Sequence, residues 1–432
     1  MSAPTQPIDI KKSLIDAAVA GLMALIVFGP IVGVVLDGYS FNLQPARTAM
    51  LVAIVIVGRF LLSLFLQTTK GRAIAHGLEG GGAGVHVRPY DYKSRLRWII
   101  PAMIVIALVF PVFADKYILT VVILGLIYVL LGLGLNIVVG LAGLLDLGYV
   151  AFYAIGAYGL ALGYQYLGLG FWSALPLSAI AAALFGAILG FPVLRMHGDY
   201  LAIVTLGFGE IIRLVLNNWL SFTGGPNGVS VPAPTFLGLE FGKRAKEGGV
   251  PIHEYFGFEY NPDLKFIFIY GVLFLVVLAV LFIKHRLTRM PIGRAWEALR
   301  EDEIACRSMG LNHVLVKLSA FTIGASTAGL AGVFFASYQG FVNPTSFTFF
   351  ESALILAIVV LGGMGSTLGV VIAAFVLTVA PELLRSFAEY RVLLFGVLMV
   401  LMMIWRPRGL IRIGRSGVKP RKGVLATKQE AA

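Results

Sequence analysis

Charge is scarce in this chain and cysteine is nearly absent. Only 13% of the 432 residues are Asp, Glu, Lys or Arg, while 58% are hydrophobic, which is far too much apolar surface for a water-soluble domain of that length. Cys306 is the single cysteine, so no disulfide can form within the chain. Its place beside Ala305 fits a packed small side chain better than a reactive thiol. The histidines, His76, His86, His197, His253, His285 and His313, stand apart without HxxxH or Cys/His spacing, which argues against a metal site. A nucleotide loop is missing too. The segment GLEFGKR, Gly238 to Arg244, imitates one, but it has one residue too few between its glycines and Arg244 where a magnesium-binding hydroxyl belongs. The chain is therefore expected to carry no catalytic residue and to be unable to hydrolyse ATP alone.

What is abundant is the apolar run. A helix needs about 20 residues to cross a ~30 Å hydrocarbon core, and the candidate spans are Leu14–Leu36, Met50–Leu66, Trp98–Phe113, Ile118–Val139, Tyr149–Leu167, Phe171–Leu194, Tyr200–Leu220, Phe266–Ile283 and Val314–Tyr338. No short-strand alternation suggests a barrel. Basic residues precede the first run as in a signal peptide, but the run is too long and lacks a convincing cleavage site, so it reads as a span. Beyond Asn343 the stretch Glu351–Leu361 is too short for a full crossing. A short or re-entrant helix is expected there, broken at the GGMGS of Gly362–Ser366 and followed by Thr367–Leu384 and Val392–Trp405. The fold class is an all-α polytopic membrane protein with about ten to twelve membrane segments, including broken or re-entrant helices.

The net charge of +12 sits in short loops and in the tail, which reports orientation and not nucleic-acid binding. The linker Gln67–Arg97 carries Lys70, Arg72, Arg88, Lys93, Arg95 and Arg97 and is placed in the cytoplasm. Counting crossings outward puts Gly140–Gly148, Arg195–Asp199 and Lys284–His313 inside and Ser221–Lys265 outside. Both termini then lie in the cytoplasm, and the tail from Arg406 to Lys422 faces anionic lipid. Residues 1–97 form an N-terminal extension of two spans and a basic linker, 98–408 the core, and 409–432 a basic tail.

One charged island interrupts the core. Gly293 to Leu311, GRAWEALREDEIACRSMGL, read as a helix, places Ala295, Ala298, Leu299, Ala305, Cys306 and Met309 on one face, interrupted by Asp302. Glu297, Arg300, Glu301, Glu303 and Arg307 fall on the other, so the helix can lie flat against another protein. Glycine-rich breaks at GLAGLLDLG and GGMGSTLG occupy loosely matching places in the two halves of the core, a pointer to a transport path. Glu210 and Arg213 stand one turn apart inside a span and can pair with each other. Asp146 is read as a cap or turn residue, and the turn cluster Gly224, Gly225, Pro226, Asn227 and Gly228 as part of a docking loop for an external partner.

The island and the following KLSAFTIGASTAGLAG, with GLNIVVGLAGLLDLGYVAFYAIGAY, GDYLAIVTLGFGEIIRLVLNN, TGGPNG and LGGMGSTLGVVIAAF, closely resemble the LivM-type permease of bacterial branched-chain amino acid ABC importers. The resemblance covers about Trp98 to Arg408, and the two N-terminal spans resemble the extension of its longer members. It implies an ABC-importer permease in the inner membrane, paired with a LivH-like second permease, two LivG/LivF-like ATPase subunits that bind ATP and magnesium, and a periplasmic amino-acid-binding protein. It also implies that the island is the coupling helix docked on an ATPase, through Gly293, Arg294, Trp296, Glu297, Ala298, Leu299, Arg300, Glu301, Asp302 and Gly310. Leu299 stands where the loose family pattern has its second alanine. An apolar substrate path is expected, lined by Asn136, Gly140, Gly143, Phe152, Tyr153 and Gly365. The same scaffold serves urea and short amides. An ion-coupled secondary transporter using Glu210, Arg213 and Asp146 is the alternative from a different class, and a passive channel lacks the polar pore ring it would need.

Overall fold

The computed structural model describes residues 114–193, 199–236, 239–241, 250–257 and 261–383, together with 34–37, 40–43 and positions 21, 53, 56, 107, 108, 110, 111, 396 and 400. The expected spans Met50–Leu66, Trp98–Phe113 and Val392–Trp405 lie mostly outside the described residues, as do the loop Arg195–Asp199, the basic linker and the tail. The chain divides into two compact units, Met1–Leu96 and Arg97–Ala432. In the first, β1 (Val34–Asp37) pairs antiparallel with β2 (Ser40–Leu43), Asp37 opposite Ser40. The expected span Leu14–Leu36 lies mostly outside the described residues, but its last residues, Val34 to Leu36, are strand. The β-branched Val34 and Val35 favour strand, and the Gly-Tyr pair between the two strands is sequence that suits a two-residue hairpin turn.

The second unit is helical. Its long elements are α1 (Lys116–Leu135), α2 (Val150–Leu167), α3 (Phe171–Val193) and α4 (Asp199–Asn218). After the short α5 (Leu220–Thr223) and α6 (Ile252–Phe256) come α7 (Leu264–Arg289), α8 (Pro291–Glu301), α9 (Glu303–Ser308) and α10 (His313–Gln339). The last are α11 (Phe349–Gly362) and α12 (Thr367–Leu383). Among the described residues, six helical segments are long and apolar enough to cross a membrane, so this is a multi-pass membrane protein.

Small residues decide which helix is central. Helix α10 packs against α3, α2 and α1, and its GASTAGLAG run lets backbones meet. A Cβ on Gly156 of α2 would lie 2.1 Å from the Gly329 carbonyl oxygen, and one on Gly332 would lie 2.3 Å from that of Tyr153. Tyr149, wholly buried, donates its hydroxyl to the Gly324 carbonyl at 2.9 Å. By contrast α3 turns Leu177, Ile180, Leu184 and Ile188 outward, a stripe at helical spacing suited to lipid.

The loop beyond α4 is partly ordered by pairing. Strand β3 (Val229–Ser230) runs antiparallel to β7 (Phe341–Val342), and β4 (Thr235–Phe236), β5 (Leu239–Glu240) and β6 (Val250–Pro251) form a second small sheet. At the other break, α11 starts after a 3-10 turn at Pro344–Ser346, so the apolar run Pro344–Gly362 is longer than the Glu351–Leu361 stretch expected from sequence. It stops where expected, at Gly363, whose φ of 99° suits glycine.

Candidate functional site

The charged island is not one helix. Asp302, with extended backbone, ends α8 and caps α9, its Oδ1 accepting from the Ile304 and Ala305 amides at 2.9 and 3.0 Å. Aspartate competes for backbone amides in this way better than it tolerates a helix interior. The break changes the buried face. Gly293, Trp296 and Leu299 are buried in α8 and Cys306 in α9, whereas Ala298 and Ala305 are exposed and Met309 is 83% exposed. The apolar face drawn from a single helical wheel is thus corrected to a narrower one at i, i+3 and i+6.

Trp296 anchors α8. It is fully buried, and its indole N–H reaches the Val316 carbonyl at 3.1 Å and Ser319 Oγ at 3.0 Å, both on α10. A Cβ on Gly293 would stand 2.3 Å from the Leu287 carbonyl oxygen, so only glycine lets α8 fold back so tightly on the end of α7. Helix α9 is held by Glu303, which takes Lys317 at 2.8 Å and Arg307 at 2.5 Å. Sequence reading placed Glu303 and Arg307 on a free outer face and missed Lys317. Its signal was a lone lysine in an apolar run fourteen residues after a glutamate.

Arg300 ties this segment to the membrane core. Its Nη1 donates to the Gly140 carbonyl, and its Cγ occupies the space a Cβ on Gly143 would need, 2.8 Å away. Gly143 has φ 73°. Gly140 lies in a π-helical stretch, Asn136–Leu141, that continues α1, and π-bulges loosen the regular ladder at sites of function. The widened turn also brings the two glycine breaks together. Asn136, wholly buried, accepts from the Gly365 amide at 2.7 Å and donates to the Ser366 carbonyl at 3.2 Å. A Cβ on Gly140 would clash with the Gly365 nitrogen at 2.5 Å. Of the residues expected to line the path, Asn136, Gly140, Gly143 and Gly365 thus form one junction under α8. Phe152 and Tyr153 lie apart from it on α2, both buried, the Tyr153 ring 5.3 Å from Phe335 and 5.2 Å from Phe347.

Beside the junction Asp146 is 1% exposed. Its Oδ1 accepts the Gly148 amide at 2.9 Å in a local turn, while Oδ2 has no partner. Burial pushes its carboxyl up to about 7. On α4, Glu210 and Arg213 are indeed paired, Arg213 Nε lying 3.1 and 3.0 Å from the two carboxylate oxygens. The Gly224–Gly228 turn follows the C-terminal end of α4: Thr223 Oγ1 donates to the Leu216 carbonyl at 2.6 Å, and Gly225–Asn227 form a 3-10 turn. Pro226 and Asn227 are exposed, while Gly225 is buried and a Cβ on Gly228 would stand 2.4 Å from the Val342 carbonyl oxygen.

Comparison with known proteins gives this geometry a context. A family profile described as the branched-chain amino acid transport system permease component matches residues 117–404. The chain is 48% identical over 428 residues, 98% of its own length and all of the relative's, to the high-affinity branched-chain amino acid transport system permease protein LivM of Escherichia coli K12. It belongs to the LivM family of permeases. Its counterpart in Salmonella typhimurium is 47% identical over 97% of this chain and 98% of the relative. The high-affinity branched-chain amino acid transport system permease protein LivH of E. coli K12 is 27% identical over 67% of this chain and 92% of the relative. Residues 12–110 match a separate family described only as a domain of unknown function. No solved structure matches the chain.

Proposed function

We propose that this LivM-family chain is one of two membrane subunits of an ATP-driven importer that moves branched-chain amino acids across the bacterial inner membrane. The near-full-length identity to LivM carries this reading. The complete chain has ten to twelve membrane segments in an ABC-importer permease architecture, with both termini in the cytoplasm. Its partners are a LivH-like permease, two LivG/LivF-like ATPases and a periplasmic amino-acid-binding protein that docks at the Ser221–Lys265 loop. ATP and magnesium belong to the ATPases, and this chain performs no hydrolysis.

Helices α8 and α9 serve as the coupling segment. They expose Ile304 at 77% and Met309 at 83%, with Arg294, Glu297 and Glu301 also outward, which suits a groove that is apolar in its centre and charged at its rim. Movement of that groove on ATP binding shifts α8 and, through Arg300, the Gly140 carbonyl of the π-helical stretch. The permease then rocks between inward and outward openings as packed helices exchange discrete arrangements.

The test is reconstitution with the partner subunits in proteoliposomes. Leucine uptake that requires both ATP and the binding protein is expected. Uptake by this chain alone under an ion gradient would instead establish the secondary-transporter reading, and retention of urea but not leucine by the binding protein would move the substrate to short amides. Exchanging the outer charges, Arg294→Glu with Glu297→Lys, is expected to lower ATPase co-purification at least fivefold at unchanged expression.

A further inference from the structure

A cavity of about 260 Å³ lies against α4, walled by the aliphatic Leu147, Val150 and Leu206, the rings of Phe347 and Phe349, and the carboxylate of Glu210. A dry cavity of about 150 Å³ is enough to hold benzene, so this one has room for a branched aliphatic side chain and a small polar head. Its one charged lining residue is not alone. Arg213 stands next to the lining and not in it, approaching Glu210 with Nε and Nη2, which leaves Nη1 without a hydrogen bond among the described residues. The side chains of Glu210 and Arg213 are 42% and 27% exposed midway along a membrane helix. A half-open ion pair at that depth is costly against hydrocarbon, so this face is turned toward protein or water.

We propose that this cavity is a transit site for a zwitterionic aliphatic amino acid, a reading that rests on the import function above. The substrate ammonium donates to Glu210, its carboxylate accepts from Arg213 Nη1, and its branched side chain lies among Leu206, Phe347 and Phe349. The polar groups select the head and the apolar wall selects the tail, the usual division of labour in small-molecule sites. Partial exposure keeps retention weak, as transit demands. The wall is also connected to the lever. Leu147 and Val150 belong to the segment that follows the Gly140 break, and the Leu147 amide donates to Thr205 Oγ1 at 3.1 Å. A Cβ on Gly148 would sit 1.9 Å from the Thr205 carbonyl oxygen, so a shift of that segment must reshape the cavity.

The experiment uses the assembled importer with its ATPases and binding protein in proteoliposomes. ATP-dependent leucine uptake by the wild-type complex comes first, and its absence would refute the import function itself. Given that uptake, Leu206→Trp, which fills the cavity, and Glu210→Gln, which removes the ammonium acceptor, are each expected to lower the leucine rate per assembled complex at least tenfold. Rates within twofold of wild type for both would overturn the site. Where a variant fails to assemble, the wild-type complex is labelled during turnover with a leucine analogue bearing a photoreactive diazirine. Adducts on peptides containing Leu206–Glu210 or Phe347–Phe349 are expected. Adducts confined to other segments, or none on this chain while the binding protein is labelled, would overturn it.

Discussion

Removing the amide of Asn136 tests the junction of the two breaks most directly. Asn136→Ala leaves the Gly365 amide and the Ser366 carbonyl, bonded at 2.7 and 3.2 Å, without partners in a place sealed from water. Each orphaned buried group costs about 1–3 kcal/mol, although side-chain hydrogen bonds in membrane proteins average nearer ~0.6 kcal/mol because neighbours can re-pair. Here re-pairing is restricted: Gly365 has φ 90°, and Gly140 stands against it with no side chain to offer. A loss of about 2–4 kcal/mol is expected, measured by reversible unfolding in mixed detergent micelles. A loss under about 0.5 kcal/mol for Asn136→Ala would show that the breaks are held apart from each other's energetics.

Two further perturbations follow from the same packing. Asp146, raised to about 7 by burial, keeps its proton in the folded chain between about pH 4 and 7 while the unfolded chain releases it, so wild type loses stability as pH rises across that window. Asp146→Asn retains the oxygen that accepts from Gly148 and removes the titration; its unfolding midpoint should match wild type at pH 4 and exceed it at pH 8, and equal midpoints at both would refute the assignment. Trp296→Ala should cost about 3–5 kcal/mol through the void it leaves and release α8, whereas Trp296→Phe, which loses the two indole hydrogen bonds but only part of the ring volume, should cost less than that. Limited proteolysis at the α8–α9 segment reads the difference, and equal cleavage of the two variants would contradict an anchoring role.

The parts of the fold that were legible in the sequence are those set by one local variable. Apolar run length located α1, α2, α3, α4, α7 and α10, because in a bilayer a helix of sufficient length is nearly the only way to satisfy backbone groups. The stop at Gly363 was legible for a similar reason, since a glycine pair offers the left-handed conformations that end helices. Asp302 was not, because the same residue can sit in a helix with its side chain outward or break it by capping the next one, and only the fold-back at Gly293 decides between them. Asn136 lay further out of reach. Its partners are 229 and 230 positions away, and one sequence shows only that both segments contain glycines.

Position, more than chemistry, makes Arg300 the link between α8 and the π-helical stretch. Were its guanidinium only part of the outer charged face, exchanging it for glutamine would alter docking and nothing else. Instead Nη1 ends on the Gly140 carbonyl, in a stretch where the π-helical turn has already displaced the normal ladder. That turn carries Asn136 at its start and Gly140 near its end, so a pull on the carbonyl acts on the residue that clamps Gly365. A direct hydrogen bond at this point ties α8 to the junction. Gly143, with φ 73° and its missing Cβ facing Arg300 Cγ, is the space that lets the tie be short.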